Sequence, residues 1–238
     1  MRNFFTIFKK ELAGYFNSPL AYIFTALFLV VGNWLFWQDF FLSQQANPRY
    51  YFALLPWIFL FITPALTMRL WAEEKKNGTI ETLLTFPIRD IEAVLAKFFS
   101  SLAFLAIVLV LSISIPITIS SLGNMDWGAV LGGYLGALFI GALYLAMGLF
   151  ISSLTKNQII AFLITVVCSF ILFMLSTPYI LQAFPWAASL LSIIGSSSHF
   201  SNLARGVIDT RDVFYFLTVI SLFIYLNKQV LASRNWID

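Results

Sequence analysis

In a chain of 238 residues, 60% are hydrophobic, 18% aromatic and only 11% charged, and the mean hydropathy is +0.88; a soluble domain carries roughly 25% charged residues, so this is read as an integral membrane protein. The length predicts six spans of about 20 residues plus connections and leaves no room for a second, catalytic domain. The net charge of +3 sits at the ends of apolar runs, where lipid headgroups and topology account for it, which excludes nucleic acid as a partner, and the single Cys168 permits no intrachain disulfide.

At the N-terminus, Phe4, Phe5, Phe8, Leu12, Tyr15 and Phe16 form one stripe at helical spacing, with Thr6, Lys10 and Ala13 roughly opposite. That pattern predicts an interfacial helix over 1–17 rather than a signal peptide or a span. Asn17-Ser18-Pro19 breaks it and starts the first predicted span, Leu20 to Phe41, whose Trp34 and Trp37 belong near headgroups. The second span, Tyr50 to Leu70, contains Pro56 and Pro64, which are expected to kink it. The third is Phe98 to Leu122 with Pro116 near its end, and the fourth is Trp127 to Leu154. Gly132 and Gly136 on the fourth, with Gly141 and Gly148 beyond, let another helix approach closely, a pattern that fits packing within one subunit better than a subunit interface. Thr155-Lys156-Asn157 leads into the fifth span, Gln158 to Leu181. Phe184 to Ile194 is apolar but only eleven residues long and interrupted by Pro185, too short to cross. With the stretch from Ser196 to Arg211, polar enough to be wet, it predicts an external re-entrant segment over 182–211, followed by a last span from Asp212 to Asn227.

Between the second and third spans lies the stretch RLWAEEKKNGTIETLLTFP, Arg69 to Pro87, which crowds charge and turn chemistry between two membrane segments. Arg69, Glu73, Glu74, Lys75 and Lys76 extend the preceding helix past the lipid. Asn77-Gly78 supplies a left-handed stop, and Thr79 caps a short helix that Pro87 ends. Ile80, Leu83 and Leu84 share one face of that helix, with Glu81 on the other side. Lys97 marks the return into the membrane. Of the 14 Lys and Arg residues, only Arg49, Arg205 and Arg211 fall outside when the N-terminus is placed inside. The positive-inside bias therefore predicts both termini in the cytoplasm, the 69–97 connection facing the cytoplasm, and the 182–211 segment facing out.

The chain holds no phosphate-cradling G-x-x-x-x-G-K-[ST] loop, no recognisable Cys/His metal spacing around its one cysteine and one histidine, and no hydrolase motif. No Asp, Glu, Lys, Arg or His lies near the middle of any predicted span, which argues against a proton- or ion-coupled transporter and against an intramembrane enzyme.

An interfacial helix, six spans, a coupling helix after the second and a re-entrant segment before the sixth resemble the membrane subunit of ABC-2 exporters. The resemblance covers nearly the whole chain. Its most specific part is carried by Arg69, Glu73, Glu74, Gly78, Thr79, Glu81, Leu83, Leu84, Pro87 and Lys97; His199-Phe200, Arg205 to Asp209 and Arg211 to Val213 are similar to the gliding-motility permease branch. The resemblance implies an all-α polytopic domain over 1–238 in the inner (cytoplasmic) membrane. It also implies a dimer with a second copy or a homologous permease, and a cytosolic ATPase subunit that binds the ATP, so that this chain needs no cofactor of its own. Glu73, Glu74, Gly78, Thr79, Ile80, Glu81, Leu83, Leu84 and Pro87 are then the ATPase-coupling residues. For Arg69, Lys75 and Lys76, solvated topology residues are at least as good a reading. His199, Phe200 and Arg205 are candidates for an external gate, against the plainer readings of a packed histidine and a helix terminus. Export is the leading function. The rival is a subunit that passes ATPase strokes to an extracytoplasmic machine without carrying cargo, which would need a partner on the outer face because the other external loops are short.

Overall fold

The computed structural model describes residues 2–43, 48–79, 88–122 and 125–233. Eleven α-helices and one 3₁₀ turn follow one another, with no strand among the described residues. They are α1 (Arg2–Phe16), α2 (Pro19–Ser43), α3 (Arg49–Lys76), α4 (Asp90–Leu111), α5 (Ser114–Leu122) and α6 (Trp127–Leu154). After these come α7 (Gln158–Met174), α8 (Pro178–Ala183), the turn Pro185–Ala187, α9 (Ala188–Ile194), α10 (Ser196–Ala204) and α11 (Thr210–Ala232). Five stretches are long and apolar enough to cross a membrane, namely α2, α3, α4 with α5, α6 and α11. The predicted fifth span is α7, shorter at 17 residues.

The third span begins earlier than predicted, at Asp90, and the last runs on to Ala232. Two helices stop sooner than hydropathy suggests, and proline explains both. The third is broken at Ser112-Ile113: Pro116 has no N–H to give the Ser112 carbonyl, which accepts instead from the Ile115 N–H at 3.1 Å, a tighter turn. The fifth ends at Met174 rather than Leu181, because Pro178 opens a new helix and Thr177 turns back to donate its N–H (3.0 Å) and its hydroxyl (2.8 Å) to the Met174 carbonyl. Pro56 and Pro64, by contrast, stay inside one uninterrupted α3. There the Thr63 and Thr67 hydroxyls bond the carbonyls one turn back, Phe59 at 2.8 Å and Thr63 at 3.0 Å. At 28 residues, α3 is about 42 Å long and exceeds the ~30 Å hydrocarbon core.

The core is built round α6, which touches α3, α4, α7, α10 and α11. In its most apolar window 78% of residues are buried, against 22% for α2 and 17% for α11 at the periphery. Small residues make this centrality possible. A Cβ at Gly132 would lie 2.6 Å from the Leu203 carbonyl oxygen, and Gly136 meets Leu203 and Phe200, while Gly133, Gly141 and Gly148 meet Phe52, Leu105 and Thr67. The glycine run thus seats neighbours of the same subunit, as its spacing suggested.

The predicted wet stretch from Ser196 to Arg211 divides in two: α10 is mostly packed, whereas Arg205 and residues 207–211 are exposed as expected. Ser196, Phe200 and Leu203 of α10 are buried against α6 and α7, because the apolar i, i+4, i+7 face of this short helix fills the groove that the α6 glycines open.

Candidate functional site

The bundle has one end where α1, the end of α3, the start of α4 and the end of α6 meet, and an opposite end formed by the start of α3, the end of α7, and α10.

At the first end Lys97 is 1% exposed and lies between two carboxylates, Glu11 of α1 at 2.8 Å and Glu74 of α3 at 2.7 Å. Its third N–H goes to the Leu70 carbonyl at 3.0 Å, so all three ammonium donors are used. The Trp71 ring lies 4.7 Å from the same nitrogen. One turn along α1, the buried Tyr15 donates its hydroxyl to the Leu66 carbonyl at 3.1 Å and meets Ser101 Oγ at 2.9 Å. Burial raises its phenol far above the ordinary range, outweighing the lowering effect of the Ser101 bond and the Arg69 charge, so the group persists as a neutral donor. Arg69 lies over the Tyr15 ring and bonds Ser18 Oγ at 3.1 Å.

This geometry revises the N-terminal stripe. Phe5 and Phe16 are exposed, and the packed face is Phe4, Ile7, Phe8, Leu12 and Tyr15, with Glu11 set into it. An acid on an apolar face was the available signal for Glu11, and the sequence reading passed over it.

The other flank of α3 is gripped by α6. The Ser152 hydroxyl donates to the Met68 carbonyl at 2.9 Å and accepts from the N–H groups of Trp71 and Ala72 at 3.2 Å each, so it inserts into the α3 ladder. Lys75 Nζ donates to the Ser153 carbonyl, and Lys75 is only 7% exposed. The solvated reading of Lys75 is therefore corrected: the flexible stem lies in a groove and only its tip needed an acceptor. Lys76 is exposed, as expected.

Beyond α3, Gly78 has φ +70, the left-handed stop that Asn77-Gly78 predicted. The Thr79 hydroxyl reaches back to the Glu74 carbonyl at 3.4 Å. Glu73 lines a cleft with Lys10, Glu11, Arg69, Glu74 and Lys97, in which three acids face three cations. Ile80, Glu81, Leu83, Leu84 and Pro87 lie outside the described residues.

At the opposite end, His199 is half-buried and packed, as the plainer reading of the sequence has it. Its Nδ1 is 2.6 Å from Asp212 Oδ1, Nε2 is 3.2 Å from the Ile193 carbonyl, and the ring stacks on Tyr215 at 4.1 Å. Both ring nitrogens face oxygens. Asp212, 3% exposed, also accepts from Asn202 Nδ2 at 3.1 Å and lies in the first turn of α11, where a negative charge suits the helix dipole. The Tyr215 hydroxyl donates to the Ile194 carbonyl at 2.5 Å. These contacts tie α9 and α10 to the last span. Phe200 is buried over Gly136. Arg205 is the exposed C-cap of α10, so the helix-terminus reading describes its place; next to it Gly206, at φ +85, rests on Ala129 and Gly132 of α6.

A comparison with curated proteins finds none that matches the chain. The family model described as ABC-2 family transporter protein matches residues 16–226, nearly the whole helical bundle, and the chain belongs to that family as a multi-pass membrane permease of an ABC transporter.

Proposed function

We propose that this permease is an exporter subunit driven by a separate cytosolic ATPase that docks on the 69–97 connection, with both termini in the cytoplasm and a second permease copy or homologue completing the transporter. ATP is bound by the partner, and this chain supplies no cofactor site. The observation that carries the reading is the Lys97 hub. Both roots of the connection, the end of α3 at Glu74 and the start of α4 at Lys97, are joined to each other and to α1 through one buried ammonium. Force applied between them cannot be dissipated by one helix swinging alone.

A stroke has a path from there. The α3 helix that holds Glu74 at one end supplies Arg49 to the opposite end, about 37 Å away along its axis, with Ala53 and Trp57 one and two turns nearer. Neighbouring α6 is bonded to the α3 extension through Ser152 and carries α10 on Gly132 and Gly136. Displacement of the connection therefore reaches the His199 and Phe200 region through continuous packing, which supports a role for those residues at the outer gate.

The test is copurification and stimulated ATP turnover with the cognate ATPase at matched membrane levels. Leu83→Ala, Leu84→Ala and Glu81→Lys are expected to lose binding or stimulation, each leucine by roughly thirty-fold if it is an interface anchor. Variants that all bind and stimulate like the parent would overturn the proposal.

A further inference from the structure

At the opposite end a cleft of about 350 Å3 opens between α3, α7 and α10. Its floor is aromatic: Trp57 of α3 and Phe173 of α7 meet edge to face at 5.3 Å, and Phe200 of α10 lies beside them. Its rim carries two guanidinium groups, Arg49 and Arg205, and among the described residues no acid lines it. The two acids that follow α10 in the chain are engaged elsewhere: Asp209 caps α11 by accepting from the Arg211 N–H at 2.9 Å, and Asp212 is held by His199 and Asn202. The exposed Arg205 beside an aromatic floor is the complement of an amphiphile with a negative head.

The corner that presents Arg205 is fixed. Its N–H donates to the Asn202 carbonyl at 3.1 Å, and the following Gly206 N–H donates to the Leu203 carbonyl at 2.9 Å. A side chain on Gly206 would press on the Ala129 backbone, so this backbone approach admits only glycine without rearrangement. The cleft also lies at headgroup depth, since Arg49 is the first residue of α3 and the apolar run begins beside it.

The geometry points to this cleft as a binding site for the phosphate-bearing headgroup of an anionic membrane lipid, with Arg205 reading the phosphate and Trp57, Phe173 and Phe200 receiving the start of the chains. Arg49 adds its charge to the rim while keeping an interaction of its own. The site deepens the permease reading by naming a lipid class for its outer end. It requires only a membrane round the bundle and no ATPase.

Native mass spectrometry of the full chain alone tests it, after exchange into equimolar phosphatidylglycerol and phosphatidylcholine. Phosphatidylglycerol should be retained in preference. Arg205→Gln should lower that retention by about fivefold, Trp57→Ala should lower retention of both lipids, and Lys156→Ala, an exposed cation at the other end, should leave it unchanged. Equal retention of the two lipids, a parent-like Arg205→Gln, or an equal loss in Lys156→Ala would overturn the assignment. Displacement of the lipid by free glycerol phosphate would also overturn it, by making the cleft a soluble-anion site. Because no ATPase is present, any of these failures leaves ATPase coupling untouched, and failed coupling leaves lipid binding untouched.

Discussion

The two ends of the bundle use charge in opposite ways. Where α1, α3 and α4 meet, three acids and three cations share a cleft and the central lysine has every donor occupied. The cleft between α3, α7 and α10 sets Arg205 beside an aromatic floor, and no acid lines it among the described residues. A balanced, desolvated cluster holds helices in one arrangement, since separating its members strands a buried charge. A cationic side chain left exposed at a cleft attracts an anion from outside the chain. On the proposed reading the first end transmits and the second receives.

The largest effect expected from breaking this contrast is at Lys97. Lys97→Ala leaves Glu11 and Glu74 facing each other in a half-closed site and should cost about 3 kcal/mol or more, read as a lower thermal midpoint in detergent or lipid. Lys97→Arg should not rescue it, because a planar fork cannot meet three convergent acceptors that suit a compact ammonium. The triple variant Lys97→Met, Glu11→Gln, Glu74→Gln should recover most of the loss.

Next in size is Gly132→Leu. The added side chain meets the Leu203 carbonyl and should unseat α10 at a cost of about 1–3 kcal/mol. Hydrogen exchange should rise across 188–204 while residues 66–76 keep the parent's protection. Equal loosening at both ends would show that the two regions are one unit.

A smaller effect, about 2 kcal/mol, is expected for His199→Ala, which leaves Asp212 buried with only Asn202. A double-mutant cycle with Asp212→Asn should show coupling of about 1 kcal/mol or more, whereas additivity would mean that the short contact contributes nothing. Lys76→Ala should change the midpoint by less than about 0.5 kcal/mol, as an exposed side chain away from both clusters.

Much of this fold was legible because hydropathy runs and prolines act locally. The order of the apolar helices, the left-handed Gly78 and the glycine run on α6 follow from residues that decide their own neighbourhood. The span ends were less legible, since Pro116 and Pro178 end helices several residues earlier than hydropathy does. The site was legible only in part. Glu73, Glu74 and Lys97 stood out by their charge, but Glu11 lies 86 positions from Lys97 and Ser152 lies 84 from Met68, and such pairings come from packing alone. Asp212 was read as the start of a span, and its partner His199 as a packed residue. What joins them is the turn through Gly206, where a left-handed glycine reverses the chain.

The central claim is that the Lys97 hub carries the ATPase stroke rather than merely holding the fold, and the neutral triple variant tests it most directly. Stimulated ATP turnover would be measured with the cognate ATPase bound, at matched permease levels. The account predicts a folded permease that still copurifies with the ATPase yet leaves its turnover at the unstimulated rate. Parent-like stimulation by that variant would contradict it.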